Sequence, residues 1–423
     1  MTATPDLRSH RLDNGLRLVL LERHDRPLVA VNVWYHVGSK HEQRGRTGLA
    51  HLFEHMLFQG SKHVGANEHF RHVQQVGGVA NGSTWYDRTN YFETLPAHQL
   101  ELGLWLESDR MGFLLDALTQ DKLETQRSVV MNERRQRIDN RPYGRAMERL
   151  HELLYPPEHP YSWPVIGAME DIAAADLDDV RSFFELHYRP SNAVLTLVGD
   201  FDTAAAIDAV ERWFGALPAA PAPAPARPGS PPSPDPRHEL MDDDVGLPRV
   251  YLAATVPAYG GAEWDAAHLL TSILSGGKAS RLYRELVYEL QIAQEVSAYV
   301  YPTEECATFL AVATGRHGVD PAALAAALSS GVDQAATVPP SAEERSRALR
   351  GQLTAFYSEL QTYEGLADAI GGTTTYFDQP EWLWTIPERL ERVSSAAMAE
   401  LAATHLARDR RVSVTVVPRG SGP

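Results

Sequence analysis

The sequence predicts an α+β protein of two tandem, related domains, each a mainly antiparallel sheet with helices on one face, and three observations predict it. A stretch of alternating Pro and Ala at 217–237 divides the chain into halves of similar length; such a polyproline-like spacer has nothing with which to pack a core. Each half begins with a strand pattern followed by an apolar helical one. Each also ends on an apolar run, Ala193-Val194-Leu195-Thr196-Leu197-Val198 in one and Val412-Ser413-Val414-Thr415-Val416-Val417 in the other. The length of 423 residues agrees, since one hydrophobic core seldom serves more than about 250. The expected boundaries are 1–216 for the first domain, 217–240 for the linker and 241–423 for the second.

Taken in order, Leu12-Asp13-Asn14-Gly15-Leu16 predicts a hairpin, because Asn-Gly supplies the positive φ angles of a type I′ turn. Residues 28–37 alternate as a strand should, and 48–58 have the period of a buried helix closed by Gly60. His69 and His72 share a helix face with no acidic partner at useful spacing, which predicts surface residues. Residues 100–115 again have helical period. Asp121-Lys122-Leu123-Glu124 resembles a capping box opening a helix that runs to about Arg137, and Asp139-Asn140-Arg141-Pro142 stops it. In the second half 250–256 reads as a strand and 265–274 as a buried helix closed by Gly276-Gly277, while Asp242-Asp243-Asp244 reads as a solvated run.

Composition excludes several classes. A net charge of −16 opposes nucleic acid or an anionic membrane as a main partner, since both need a positive footprint. The lone Cys306 rules out a disulfide framework, a Cys-rich zinc ribbon and a CxxC redox pair, so any metal must be held by His, Asp or Glu. Arg8, Arg11, Asp13 and Arg17 interrupt the opening residues, and no uncharged apolar run reaches 18 residues. The expectation is a cytoplasmic protein without membrane contact.

Chemistry concentrates in His51-Leu52-Phe53-Glu54-His55. At 3.6 residues per turn, positions i, i+3 and i+4 share a face, so two imidazoles and a carboxylate point together. Two neutral imidazoles make half a zinc site, and a Glu just before the second is placed to take a proton from water at the metal. The neighbours Ala50, Leu52, Phe53, Met56, Leu57 and Phe58 make the helix apolar nearly all round, so these groups need partners. A third ligand is expected from the 121–137 helix, where Leu123, Gln126, Val130 and Glu133 form one stripe. Glu133 is the candidate.

GLAHLFEHMLFQGS followed by SVVMNERRQRIDNRPYG resembles the pitrilysin/insulinase family of zinc metallopeptidases. The likeness extends through Ala80-Asn81-Gly82-Ser83-Thr84, Thr89-Asn90-Tyr91-Phe92-Glu93, His159-Pro160-Tyr161 and Tyr188-Arg189-Pro190-Ser191-Asn192. The resemblance implies half of a clamshell, with one zinc per chain held by His51, His55 and Glu133, and with Glu54 as general base. It implies that Gln126 replaces a second acidic residue, able to orient Glu133 by a hydrogen bond but not to supply charge. It makes 78–92 the edge on which a peptide lies, with Asn81, Gly82 and Ser83 binding substrate.

In the second half Ala267, Leu270 and Thr271 stand where His51, Glu54 and His55 stand in the first, leaving no metal site. The resemblance implies an Arg and, seven residues on, a Tyr that contact the substrate; it aligns Val287 and Gln294 with those positions, a shifted alignment onto Arg281, Tyr283, Arg284 or Tyr288 being the alternative. The implied protein is a zinc endopeptidase acting on peptides, paired with a homologous subunit that carries the Arg/Tyr pair, or with its own copy. The rival is a non-catalytic scaffold or peptide-binding subunit.

Overall fold

The computed structural model describes residues 6–224 and 237–420. The first half supplies β1 (Arg8–Arg11), β2 (Arg17–Glu22), β3 (Leu28–Tyr35), β4 (Val79–Thr84), β5 (Thr89–Pro96) and β6 (Ala193–Gly199) to one sheet. Their order is β1-β2-β6-β3-β5-β4, with β2 and β6 parallel and the other neighbours antiparallel. The second sheet holds β7 (Arg237–Asp243), β8 (Arg249–Val256), β9 (Ala293–Val300), β10 (Ala307–Gly315) and β11 (Arg411–Pro418) in the order β7-β11-β8-β10-β9. Here β7 and β11 are the parallel pair. With β1 set aside, the two sheets share strand order and direction, so the parallel patterns of the halves reflect one architecture used twice.

The helices between β3 and β6 are α1 (Leu49–Met56), α2 (Glu68–Gln75), α3 (Leu100–Phe113), α4 (Gln120–Arg134), α5 (Ala146–Leu154), α6 (Met169–Ala174) and α7 (Leu177–His187). After β6 come α8 (Thr203–Phe214), α9 (Ala262–Ser275), α10 (Pro321–Thr337), α11 (Ala342–Glu359), α12 (Tyr363–Phe377), α13 (Ile386–Arg392) and α14 (Ser395–His405). β6 is buried along its whole length, as an apolar central strand must be. In the second sheet Val250, Leu252, Ala254 and Val256 turn one face of β8 into a core shared with Leu269, Leu270 and Ile273 of α9. No described helix is long and apolar enough to cross a membrane.

The compact units differ from the expected halves. One comprises the described parts of Met1–Glu133, Pro164–Arg227 and Tyr357–Thr385; the other comprises Arg134–Trp163, Pro228–Phe356 and Ile386–Pro423. Thus α5, early in the chain, packs on β8 and β11, and α12, late in the chain, packs on β3 and β6. Side-chain fit decides the second case. Asp368 of α12 accepts from Trp34 Nε1 at 2.9 Å, Asn90 Nδ2 at 2.8 Å and Asn32 Nδ2 at 3.2 Å. A Cβ on Gly371 would meet Trp34 at 2.9 Å, so only glycine allows that approach. Helical periodicity marks α12 as a helix but not which sheet it covers.

Four smaller expectations also change. Of Asn14 and Gly15 only Gly15 has positive φ, 93°, so the hairpin is a longer loop closed by Leu12 N donating to Leu16 O, not a type I′ turn. Thr119, not Asp121, caps α4, its hydroxyl accepting from Lys122 N at 3.3 Å. α4 ends at Arg134 and passes into a π-helical turn, Arg135–Asp139. Of the expected linker, Arg237–Leu240 already belong to β7, because they pair with β11, and 225–236 lie outside the described residues.

Candidate functional site

α1 starts at Gly48, whose φ of 88° and close approach to Ile166 O exclude a side chain there. Its first amides are held by a carboxylate: Glu42 accepts from Gly48 N at 2.9 Å and from Ala50 N at 2.8 Å. A negative charge at the positive end of a helix is favourable, and here it fixes the start of the helix that carries the motif. Leu49, Ala50, Leu52, Phe53 and Met56 bury the other faces, which leaves His51, Glu54 and His55 on the remaining stripe.

That stripe meets Glu133, at the end of α4, where Leu123, Gln126 and Val130 are buried. His55 Nε2 is 3.3 Å and His51 Nε2 3.8 Å from Glu133 Oε2. One donor atom from each of the three lies within 4.8 Å of the others. The side chains keep 12%, 22% and 16% of their surface in His51, His55 and Glu133, enough for a water or ligand to reach the donors from one side. Two imidazoles and one carboxylate so gathered, with an accessible side left over, are a donor set suited to zinc.

Glu54 adjoins this trio. Burial pushes its carboxyl pKa above the ordinary range, and the hydrogen bond from Thr84 works against that shift. Thr84 Oγ1 donates to Glu54 Oε2 at 2.5 Å. A Cβ on Gly82 would stand 3.3 Å from Glu54 Cγ and 3.2 Å from the rings of Phe58 and Tyr91, so β4 comes close to α1 because it carries glycine there. β4 pairs only with β5 among the described residues, leaving its other edge for a further strand.

The structure therefore gathers His51, Glu54, His55 and Glu133, and sets Asn81, Gly82 and Ser83 on the adjoining edge strand. Ser83 is partly engaged: its carbonyl accepts from Arg88 Nη1 at 2.8 Å, and its hydroxyl donates to Asn90 Oδ1 at 2.7 Å. Gln126 is buried on the same helix, two turns before Glu133. Thr84 and Glu42 are the site residues that sequence reasoning missed. Thr84 lies two residues beyond Gly82 in the alternation of β4, which was the available signal; Glu42 precedes the helix by a loop and gave none.

His69 corrects the surface reading, being only 3% exposed against Phe58 and Phe70. It forms a second gathering of donors with Glu93 and Glu107. That cluster already has a cation, because Arg110 donates through Nε to Glu107 at 2.9 Å and packs over Tyr91. Burial raises the Glu93 carboxyl well above its usual range, and the neighbouring Glu107 adds to that shift. This is a buried ion network, and a metal there would face the guanidinium.

In the second unit α9 carries Ala267, Leu270 and Thr271, all buried. Val287 is buried on the π-helical segment Tyr283–Glu289, and Gln294 is exposed at the start of β9. Among neighbouring Arg and Tyr, Arg281 is tied to Glu344 at 2.8 Å, whereas Tyr288 is 76% exposed.

Comparison with known proteins adds the following. Residues 17–162 match the family described as insulinase (peptidase family M16), and residues 174–352 match the peptidase M16 inactive domain. The zinc protease PqqE of Helicobacter pylori is 33% identical over 330 residues, covering 76% of this chain and 72% of that protein. The crystal structure of a protease from Helicobacter pylori is similar at a TM-score of 0.90 and 27% identity, over 98% of this chain and 100% of that one. A peptidase M16 inactive domain from Pseudomonas fluorescens shares the fold at a TM-score of 0.88, with 18% identity and 99% of each chain covered.

Proposed function

The chain belongs to the insulinase family, peptidase family M16, and on that premise we propose that it is a zinc-dependent endopeptidase acting on oligopeptides or unfolded segments of polypeptide. The observation that carries this reading is the convergence of His51, His55 and Glu133 within 4.8 Å, beside a carboxylate held by Thr84. His51, His55 and Glu133 would hold one zinc ion per chain; when bound, zinc supplies Lewis acidity to the scissile carbonyl and lowers the pKa of water.

The chain's own residues do the rest. Thr84 occupies Oε2 of Glu54, which turns Oε1 to the attacking water; Glu54 takes the water's proton there and passes it to the leaving amine nitrogen. A substrate peptide adds to the outer edge of β4 along Asn81, Gly82 and Ser83, and main-chain pairing makes the selection broad in sequence. Gly82 lets the peptide's carbonyl approach Glu54 without a side chain between them.

Val287 and Gln294 leave the second half without the Arg and Tyr that donate to the developing oxyanion in active relatives of this type, and the loss of one such donor costs about 10²–10³ in rate. We therefore infer a homologous partner bearing that pair, with a homodimer as the alternative arrangement. The match of residues 174–352 to the inactive domain favours a second reading, a peptide-binding or scaffold subunit without turnover.

The test is incubation of the zinc-loaded chain with a mixed peptide pool beside Glu54→Gln, products being read by mass spectrometry. Cleavage by the wild type alone supports the endopeptidase. Zinc at one per chain without cleavage, alone or with a homologous partner, supports the binding subunit, and failure to retain zinc favours the scaffold.

A further inference from the structure

The second unit carries a large concavity lined by its own residues. It has a volume of about 480 Å³, and its lining includes Arg137, Arg141, Tyr143, Arg249, Tyr251 and Tyr299. Three arginines against one acidic residue, Glu295, make its wall cationic in a chain whose net charge is −16, so the enrichment is local. The lining comes from two sources. Arg249 and Tyr251 of β8 alternate with the core residues Val250 and Leu252, and hence project from the opposite face of the sheet. Residues 137–147 run from the π-helical turn into α5 and form the other part of the lining.

The wall is built, and its parts are fixed. Tyr143 adopts a left-handed φ of 63°, a costly conformation for a residue with a side chain, and two hydrogen bonds hold it there. Its amide donates to Asp243 Oδ2 at 2.8 Å, and its hydroxyl donates to Leu247 O at 2.9 Å. Asp243 thus has a specific role where the sequence read a solvated acidic run. The ring of Tyr143 lies 3.9 Å beneath the Arg249 guanidinium, which also donates to Thr314 Oγ1 at 2.8 Å and reaches Glu295 Oε1 at 3.2 Å. A Cβ on Gly144 would collide with Ile138 O, so the turn that presents Arg141 requires glycine. Arg141 is exposed and forms no ion pair among the described residues. Burial raises the phenol pKa of Tyr251 and Tyr299, so both remain O–H donors at neutral pH.

We propose that this cavity binds a carboxylate of the substrate peptide, Arg141 supplying the charge and Tyr251 and Tyr299 the neutral donors. Guanidinium and phenol donors on a fixed wall match a carboxylate, and aromatic faces accommodate the adjoining chain. The carboxylate belongs either to an acidic side chain or to the peptide's C terminus. The inference deepens the reading of the chain as a peptide hydrolase and rests on it.

The experiment uses the full chain carrying Glu54→Gln, so that binding is measured without turnover, and fluorescein-labelled peptides whose Kd is read by anisotropy. One pair differs by Glu against Gln at an internal position; a second pair ends in a free acid or an amide. The expected result is roughly tenfold tighter binding of the carboxylate form in one of the two pairs, weakening as salt rises from about 50 to 300 mM. Arg141→Gln, in an exposed residue without an ion pair, abolishes that preference and leaves Kd for the neutral peptides and the circular dichroism spectrum unchanged. Preference in the first pair assigns an acidic side chain, and preference in the second assigns the C terminus. Equal affinity within both pairs, or a preference that survives Arg141→Gln, overturns the proposal. Peptide cleavage by the wild type, alone and with a homologous partner bearing the Arg/Tyr pair, is scored separately, so cleavage without carboxylate preference overturns the cavity alone, and preference without cleavage under either condition overturns the hydrolase alone.

Discussion

Among single residues, Glu54 and Glu133 are both acidic and both beside the imidazoles, yet their surroundings differ in the way that the separate tasks proposed for them require. Glu133 Oε2 faces His51 and His55, whereas Glu54 is held by Thr84 and crowded by the backbone of β4. Glu54→Gln should retain zinc at wild-type stoichiometry and lose about 10²–10⁴ in kcat, the range for a general base, as read by elemental analysis beside peptide hydrolysis. Glu133→Ala should instead lose zinc, since two imidazoles alone hold the ion weakly. A Glu133→Ala protein that keeps stoichiometric zinc after dialysis against a mild chelator would remove it from the ligand set.

Elements show how far a helix can travel from its sequence neighbours. α12 belongs to the first sheet because Asp368 satisfies three buried donors on Trp34, Asn32 and Asn90, and because Gly371 admits the Trp34 ring. Asp368→Ala leaves Trp34 Nε1 and Asn32 Nδ2 without their acceptor, Asn90 Nδ2 keeping Asn32 Oδ1 at 3.3 Å, and should cost about 2–4 kcal/mol in urea unfolding. The fragment 1–216 lacks α12 and should show the exposed core of a partly folded chain, binding a hydrophobic dye that the full protein does not. Caps act on a smaller scale. Asp320→Ala removes the acceptor for Ala322 N at the start of α10 and should cost about 1 kcal/mol, read as a lower urea midpoint with unchanged m-value.

Across the whole molecule, three buried histidines tie stability to pH. Burial lowers the pKa of His151, His159 and His187 to about 4 in each case. Between that value and the ordinary 6.5 of an unfolded histidine, the unfolded chain binds more protons than the folded one, so stability rises with pH across the window and falls as pH drops from 6.5 towards 4. Tenfold in a proton-binding constant is worth about 1.4 kcal/mol, so the three histidines together amount to several kcal/mol. His151, whose Nδ1 lies 3.1 Å from the Tyr161 carbonyl, offers the cleanest test. His151→Gln should flatten the dependence of the urea midpoint on pH between 6.5 and 4, and an unaltered slope would show that His151 does not contribute to it.

What the sequence determined by itself is what local periodicity and residue chemistry can encode. His51, Glu54 and His55 fall on one face of α1 because of helical spacing alone, and β3, β6, β8 and β11 follow from apolar runs that suit buried strands. Glu133 was legible through its stripe on α4 and through family resemblance. Tertiary structure alone decided the partners of these elements. It carried α5 to the second sheet and α12 to the first, buried His69 beside Glu93, and brought Thr84 onto Glu54. The physical reason is that a helix or strand pattern specifies an apolar face, whereas the choice of what covers that face rests on close contacts between residues distant in the chain, such as Gly371 against Trp34, which no local pattern records.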